Sequence, residues 1–83
     1  MGPLWPTRIT VRGQEWVLLQ SGPHLAGELA YVAIYGQRNP NGWHVQISIP
    51  LSEWMANDTV VSRRDLVEAK LTDAVALAES LVH

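Results

Sequence analysis

The chain has 83 residues, of which 6 are basic and 8 acidic, so its formal net charge is −2, and it contains no cysteine. This length predicts one domain covering residues 1–83. The absence of cysteine excludes disulfides and cysteine-ligated zinc, and it fits a reducing compartment. The small net charge excludes a strong electrostatic attraction to nucleic acid or to anionic lipid.

The N-terminal segment and the longest apolar run are typical of a soluble protein. Residues 1–6 contain neither the basic region nor the apolar region of a signal peptide. The apolar run at residues 29–35 is far too short to span a bilayer. We therefore expect a cytoplasmic protein that has no membrane partner.

The first predicted element is a hairpin. Residues 8–12 alternate polar and apolar side chains, as a half-buried strand does. Gly13 and Gln14 predict a tight two-residue turn, and residues 15–20 predict the returning strand. Both faces of that second strand are apolar, which is typical of a strand in the interior of a sheet.

A second hairpin is predicted after a breaker cluster, Ser-Gly-Pro-His, at residues 21–24. Residues 29–35 are rich in β-branched and aromatic side chains and predict its first strand. Pro-Asn-Gly at residues 40–42 suits a turn, because proline favours the first central position and glycine accepts a left-handed conformation. Residues 43–49 then alternate strictly, and Pro50 ends the strand.

The register of this hairpin decides which side chains share a face. A three-residue loop at residues 40–42 pairs Tyr35 with Ile47 and Ala33 with Ile49. The core face then carries Tyr31, Ala33, Tyr35, Trp43, Val45, Ile47 and Ile49. The other face carries Ala30, Val32, Ile34, His44, Gln46 and Ser48. A slip of one residue would invert the assignment, and we favour the register that Gly42 suits.

The C-terminal part of the chain predicts a helix from residue 62 onward. Ser62 followed by Asp65 resembles a capping box. One stripe at helical spacing is apolar and consists of Val67, Leu71, Ala74, Val75, Ala78, Leu81 and Val82. Thr72 is an alternative N-cap that would divide the segment into two helices. Before this helix, residues 52–55 fit a single helical turn capped by Ser52.

Together these elements predict an α+β fold: a four-stranded antiparallel sheet of two hairpins, with the C-terminal helix packed on one face. One helix covers only one side of such a sheet. Apolar side chains also point to the other side, namely Val17, Leu19, Val32 and Ile34. Three candidates can cover them: the arm at residues 4–5, the segment at residues 51–55, or a second molecule.

The sequence contains no motif for catalysis, metal binding or cofactor binding. His24, His44 and His83 have separations that match no metal motif. No serine lies in a Gly-x-Ser-x-Gly elbow, and no glycine-rich loop has the spacing of a phosphate site. The carboxylates of the predicted helix lie on its solvated side. We therefore expect no enzyme, no cofactor and no metal.

The face of the sheet away from the helix is the predicted binding surface. Since 47% of the residues are hydrophobic and 17% are charged, the surface is expected to be fairly apolar, which favours self-association or a partner protein. Its predicted partner-binding residues are Arg12, Val32, Ile34, Arg38, His44 and Gln46. We predict a non-enzymatic protein-interaction module, such as a small regulator or inhibitor, that binds a protein or forms a homodimer. Compact, motif-free chains of this length are common among phage and mobile-element accessory proteins.

The second half of the chain resembles a known family. A strand from Gly-Trp-His-Val at residues 42–45 to Ile-Pro-Leu at residues 49–51 precedes a helix that contains Leu71, Ala74 and Ala78. This order resembles HicB-type antitoxin domains, in which a strand ending in Pro-x-Leu precedes an acidic helix with spaced alanines. The glycine-rich turn that follows the proline in those domains is absent here. The resemblance implies an alternative function, a nucleic-acid-associated regulator.

Two features of the residues bear on that alternative. In the favoured register Tyr31 and Tyr35 point inward, whereas proteins that bind single strands place aromatic side chains outward for stacking. Arg63 and Arg64 lie at the predicted helix start, where positive charge is unfavourable for the helix dipole. They are interpreted either as a contact to phosphate or to an acidic partner, or as two solvated side chains, and we favour the second interpretation.

Overall fold

The computed structural model describes residues 5–26, 28–38 and 42–82, with the backbone alone for Ala26, Glu28 and Val82. Within these residues lie β1 (Arg8–Val11), β2 (Gln14–Ala26), β3 (Glu28–Gln37), β4 (His44–Pro50), α1 (Leu51–Ala56) and α2 (Val60–Val82). The strands form one curled antiparallel sheet in the order β1-β2-β3-β4. The predicted α+β fold, with four antiparallel strands and a C-terminal helix, is confirmed.

The first turn lies one residue earlier than predicted. Arg12 and Gly13 have φ values of 52° and 81°, and Val11 pairs with Gln14. A two-residue hairpin turn of this kind needs positive φ at both central residues. Gly13 therefore occupies the second central position rather than the first, and Arg12 takes the left-handed conformation before it.

The predicted breaker cluster at residues 21–24 lies inside β2, so that prediction is wrong. Strand β1 pairs with residues 14–17, and the Leu18 N–H donates to the Thr7 carbonyl just before β1. Among the residues that the structure describes, no strand pairs with the rest of this edge of β2, whose other edge pairs with β3. Pro23 lacks an N–H, which costs no ladder bond where that position faces a free edge. Because β2 pairs with β3 along most of its length, the strands form a meander rather than two separate hairpins.

The pairing of β3 with β4 is shifted by two residues from the predicted register. Tyr35 pairs with Val45 rather than with Ile47. The connection is longer than three residues, because the Gln37 backbone N–H already donates to the Trp43 carbonyl at 2.9 Å. A shift of two leaves every side chain on its original face. The predicted core face is therefore buried even though the predicted pairs are wrong.

Helix α2 is one helix, and its cap differs from the predicted one. The Ser62 N–H donates to Thr59 Oγ1 at 3.0 Å, and the Thr59 N–H donates to Ser62 Oγ at 3.3 Å. This is a reciprocal capping arrangement in which Thr59, not Ser62, is the N-cap. Thr72 starts no second helix, since its hydroxyl donates to the Glu68 carbonyl one turn back at 2.8 Å.

Helix α1 begins directly after β4. Pro50 occupies its N-cap position and no side chain caps it, so the predicted cap at Ser52 is wrong. Its one buried side chain is Trp54. The predicted turn of helix is therefore present, but its position depends on the burial of this indole rather than on a cap.

One buried cluster joins the strands to both helices. We call the sheet side that carries it the inner face; its strand members are Ile9, Val11, Trp16, Ala33, Tyr35, Val45, Ile47 and Ile49. Trp5, Trp54, Val67, Leu71 and Val75 complete the cluster. Helix α2 contacts β4 and β1, the two edge strands of the curled sheet. Leu81, predicted on the buried stripe, is 79% exposed because a helix of 23 residues extends beyond the strands it contacts.

A side-chain hydrogen bond and an aromatic group attach Trp5 and Pro6 to the inner face. The Tyr35 hydroxyl donates to the Pro6 carbonyl at 2.7 Å. The ring centroids of Trp5 and Trp54 are 5.2 Å apart, and those of Tyr31 and Trp54 are 5.5 Å apart in an edge-to-face arrangement. Burial raises the pKa of Tyr35 above its ordinary value.

This burial predicts a loss of stability at alkaline pH. A raised pKa in the folded state means that the neutral phenol favours folding; its contribution is complete below the unfolded pKa of about 10 and is lost as the pH rises above it. We expect Tyr35→Phe to cost about 1 kcal/mol at neutral pH through the lost hydrogen bond to Pro6. The variant should also flatten the alkaline fall in the urea midpoint, which Tyr31→Phe should leave in place. Equal alkaline dependence in Tyr35→Phe and the parent chain would contradict this account.

Candidate binding face

The side of the sheet opposite the buried cluster is called the outer face here. Residues that pair directly across two strands share a face. The pairs Val17–Gly36, Ile34–Gln46 and Val32–Ser48 all belong to the outer face. Val17, Val32 and Ile34 are half-buried and the polar side chains of β4 on this face are exposed. The outer face thus combines an apolar centre with a polar strand beside it.

Four of the six predicted partner-binding residues lie together on this face. Ile34 pairs with Gln46, Val32 lies two residues along β3, and His44 pairs with Gly36 at the other end of β4. Their side chains therefore form one continuous surface across β3 and β4.

Arg38 lies at the rim of this surface. Its Nη1 is 3.2 Å from Glu15 Oε1, and Arg8 Nη1 is 3.7 Å from the same oxygen. All three side chains are substantially exposed, so these ion pairs contribute little to stability. The rim carries charges of both signs, while the centre of the face is uncharged.

The structure does not bring Arg12 to the other predicted residues. Its Nη1 lies 2.7 Å from Glu79 Oε2 on α2. Arg12 belongs to the turn and not to β1, so the alternation of that strand does not set the direction of its side chain. Arg12 was predicted on the candidate binding face because the turn was predicted at Gly13 and Gln14, which made Arg12 the last residue of β1.

Leu19 was predicted on this side of the sheet, but neither as a partner-binding residue nor as part of a bulge. Leu18 pairs with Tyr35 and Gln20 pairs with Ile34, so Leu19 is the extra residue of a β-bulge. Its side chain is 50% exposed. No residue pattern in β2 signals the bulge; the nearest indication is Gly36 on the neighbouring strand.

Gly36 makes room for two side chains that lean over β3. A Cβ placed on Gly36 would lie 2.8 Å from Leu19 Cδ1, which is closer than such atoms approach, and 3.0 Å from His44 Cδ2, which is unusually close. The absence of a side chain at Gly36 therefore lets Leu19 and His44 lie across β3 on the outer face.

A shallow hollow of about 280 Å³ lies on the same face, next to the bulge. Its lining includes Gln20, Gly22, His24, Val32, Ile34 and Gln46. A Cβ built on Gly22 would meet nothing within 4 Å, so the missing side chain of this glycine helps to keep the hollow open. The hollow is an open depression in a sheet, not an enclosed pocket for a small molecule.

Neither described candidate from within the chain covers the outer face. Trp5 and the segment of α1 both contribute to the inner cluster, where Trp5 packs on Trp54. Residue 4, the other half of the predicted arm, lies outside the described residues. Trp5 and Trp54, one residue from each of these two segments, thus lie on the opposite side of the sheet.

The features that would favour nucleic-acid binding lie elsewhere. Tyr35 is buried and Tyr31 contacts Trp54, so both tyrosines point to the inner side. Arg63 Nε donates to the Asn57 carbonyl at 2.6 Å, and its guanidinium lies 4.9 Å from the centre of the Trp54 ring. This arginine is therefore neither simply solvated nor turned toward an external phosphate. It links α2 to Trp54 of α1 and to Asn57, which follows α1.

Comparison of the chain with protein-family models, curated proteins and solved structures finds no match. In the part of the chain that the structure describes, no helix is long and apolar enough to cross a membrane. Over the same residues, His, Asp and Glu side chains form no group of three that could hold a metal ion.

The contact across Gly36 predicts how this face responds to a single methyl group. Gly36→Ala should turn the Leu19 and His44 side chains away from β3, with little loss of stability because Leu19 is free to rotate into solvent. We expect a clear change in the Leu19 methyl signals in a 1H–13C spectrum. Gly22→Ala is the matched control, since its new methyl group meets nothing. Unchanged Leu19 methyl signals in Gly36→Ala would contradict the packing described here.

Proposed function

We propose that this chain is a non-enzymatic protein-interaction module, of the small regulator or inhibitor kind, that binds its partner through the outer face of the sheet. One observation carries the proposal: Trp5 and Trp54 pack together in the inner cluster, so neither side chain covers the outer face. The apolar side chains on the opposite side remain partly exposed, namely Val17, Leu19, Val32 and Ile34. A contiguous exposed apolar surface marks a binding site.

The distribution of polarity on the outer face supports this proposal. Val32 and Ile34 lie at the centre of the sheet, and uncharged Gln46 lies next to them. The charged side chains of Glu15 and Arg38 pair with each other at the rim. Protein interfaces typically have an apolar core depleted of charge and a polar rim.

Other parts of the proposal rest on the sequence. The proposed non-enzymatic role rests on a sequence in which we find no catalytic motif. The proposed location in the cytoplasm rests on the lack of signal-peptide and membrane-spanning patterns in the sequence, and the lack of cysteine is compatible with it. The proposal takes helix α2 as the cover of one sheet face only, which leaves the other to a partner. An accessory role in a phage or mobile element is suggested by composition alone.

The alternative function, a nucleic-acid-associated regulator similar to HicB-type antitoxins, is testable separately. The inward tyrosines and the internally bonded Arg63 weigh against it. An electrophoretic mobility shift measured at low and at moderate salt decides the question, because binding through phosphate contacts weakens steeply with salt. The absence of a shift at low salt removes this alternative.

A capture experiment tests the proposed function. The immobilised chain, its Ile34→Lys variant and a Leu77→Lys control are exposed to lysate of the source cells and to purified untagged chain. Leu77 is 62% exposed on α2, away from the outer face. We expect the parent chain and the control to retain the same protein, and Ile34→Lys to retain at least about tenfold less, because a desolvated unpaired charge costs more than the 1.4 kcal/mol that this factor represents.

Thermal melts followed by circular dichroism show whether all three chains are folded. Retention of nothing by a folded parent chain would contradict the proposal. Equal retention by folded Ile34→Lys would show that binding does not use the outer face.

A further inference from the structure

We propose that Pro23 prevents another β-strand from pairing with the free edge of β2. This inference does not rest on the proposed function, because it concerns the edge of the sheet and not its outer face. It goes beyond that function by excluding one class of partner, namely an extended strand, and with it the β2 edge of a second copy.

The free edge is the side of β2 that faces away from β3. Strand β2 has 13 residues, and β1 pairs with residues 14–17 of it. In the part of the chain that the structure describes, no strand pairs with this edge over residues 19–25. All of these residues except Gly22 are exposed. Their unpaired backbone groups are therefore accessible to another strand.

The register of β3 gives the direction in which the Pro23 backbone faces. Successive N–H groups of a strand point to alternate sides, so hydrogen-bonded and non-hydrogen-bonded pairs alternate along two antiparallel strands. The Gln37 N–H points toward β4, since it donates to the Trp43 carbonyl. Tyr31 lies six residues earlier in the unbroken register of β3 with β4, so its N–H points toward β4 as well. Its partner Pro23 is therefore in a non-hydrogen-bonded pair, and the Pro23 nitrogen faces away from β3.

A count along β2 gives the same direction. The Leu18 N–H points to the β1 side, since it donates to the carbonyl just before β1. Leu19 is the extra residue of the bulge, so Leu19 and Gln20 together oppose one residue of β3. Both of their N–H groups then point to β3, and alternation from Gln20 onward turns positions 21, 23 and 25 to the free edge. Pro23 occupies the middle one of these three positions.

Proline at this position removes the central donor of the free edge. Its nitrogen carries a ring carbon where other residues carry a hydrogen. An incoming strand would therefore lose one hydrogen bond and meet the ring at the centre of the contact. Proline is one of the means by which native edge strands avoid pairing with other chains.

The edge has few other features that would keep a strand away. Residues 18–26 contain no Asp, Glu, Lys or Arg, whereas charged side chains commonly protect exposed edges. The bulge at Leu19 distorts the end that adjoins β1. Leu25, toward the other end, is apolar and 73% exposed. The protection of the central part of this edge is therefore assigned to Pro23.

Pro23→Thr tests the inference, because it restores the N–H on a residue that favours strands. In sedimentation velocity over a concentration series, we expect this variant to associate at least about tenfold more tightly than the parent chain. Antiparallel pairing of two β2 edges gains one restored donor from each copy, and two hydrogen bonds represent at least this factor. His24→Thr is the matched control: it adds the same side chain to the same strand, but its N–H points to β3, so its association should equal that of the parent chain.

Amide hydrogen exchange locates the contact. In the dilute parent chain the N–H groups of Ser21 and Leu25 should exchange rapidly, whereas that of Gly22, which points to β3, should exchange slowly. When Pro23→Thr associates, the N–H groups of Ser21 and Leu25 should become protected. Protection of these two groups distinguishes pairing at the edge from association through the outer face.

A second substitution should reverse the effect of the first. Adding Ser21→Pro to Pro23→Thr moves the missing donor to the neighbouring edge position, so the association should return to that of the parent chain. Circular dichroism melts show whether each variant is folded. Leu25→Lys replaces Ser21→Pro if the double variant does not fold, because a lysine on an edge opposes pairing. Pro23→Ala supplies the same donor if Pro23→Thr does not fold.

The inference is overturned if the folded Pro23→Thr variant associates no more tightly than the parent chain. It is also overturned if His24→Thr associates as tightly as Pro23→Thr, or if association leaves Ser21 and Leu25 unprotected. The proposed function is judged by the effect of Ile34→Lys on capture, so either result leaves that test unaffected.

Discussion

The packing of Trp5 on Trp54, in the same buried cluster as Val67 and Leu71 of helix α2, is the constraint on which the other features depend. A chain of 83 residues has few apolar segments outside its strands. Here those segments lie in the inner cluster, together with Val67 and Leu71 of α2. Since the interior strands are apolar on both sides, Val17, Val32 and Ile34 are only half-buried on the outer face of the part of the chain that the structure describes.

Two glycines and one β-bulge determine the shape of the outer face. Gly36 allows Leu19 and His44 to lean across β3, and Gly22 leaves a hollow two strand positions beyond the bulge. A regular strand in place of the bulge would present an even row of side chains on this face. The bulge instead brings the half-exposed Leu19 side chain across Gly36 of β3, next to the hollow.

Much of the fold follows from patterns in the sequence, and the failures have identifiable physical causes. Strict alternation in β4 predicted the buried side correctly, and it survived a wrong register because a shift of two preserves the faces. The part of β2 around Pro23 was not predicted as strand, because proline usually ends a strand by removing a backbone N–H donor. That donor is not needed where no neighbouring strand accepts it, and β1 is too short to pair with β2 at Pro23. The candidate face was only partly predictable: alternation located Val32 and Ile34, but the bulge at Leu19 and the destination of Trp5 depend on tertiary packing.

The most direct test of the central claim is the solvent accessibility of methyl groups, measured by NMR relaxation with a soluble gadolinium chelate across a dilution series. The account predicts that the methyl groups of Val67 and Leu71 are shielded at every concentration. Those of Val32 and Ile34 should be strongly relaxed in dilute solution and become shielded as the concentration rises or a partner is added. Shielding of Val32 and Ile34 in the dilute monomer would show that the chain covers its own outer face, and it would contradict the account.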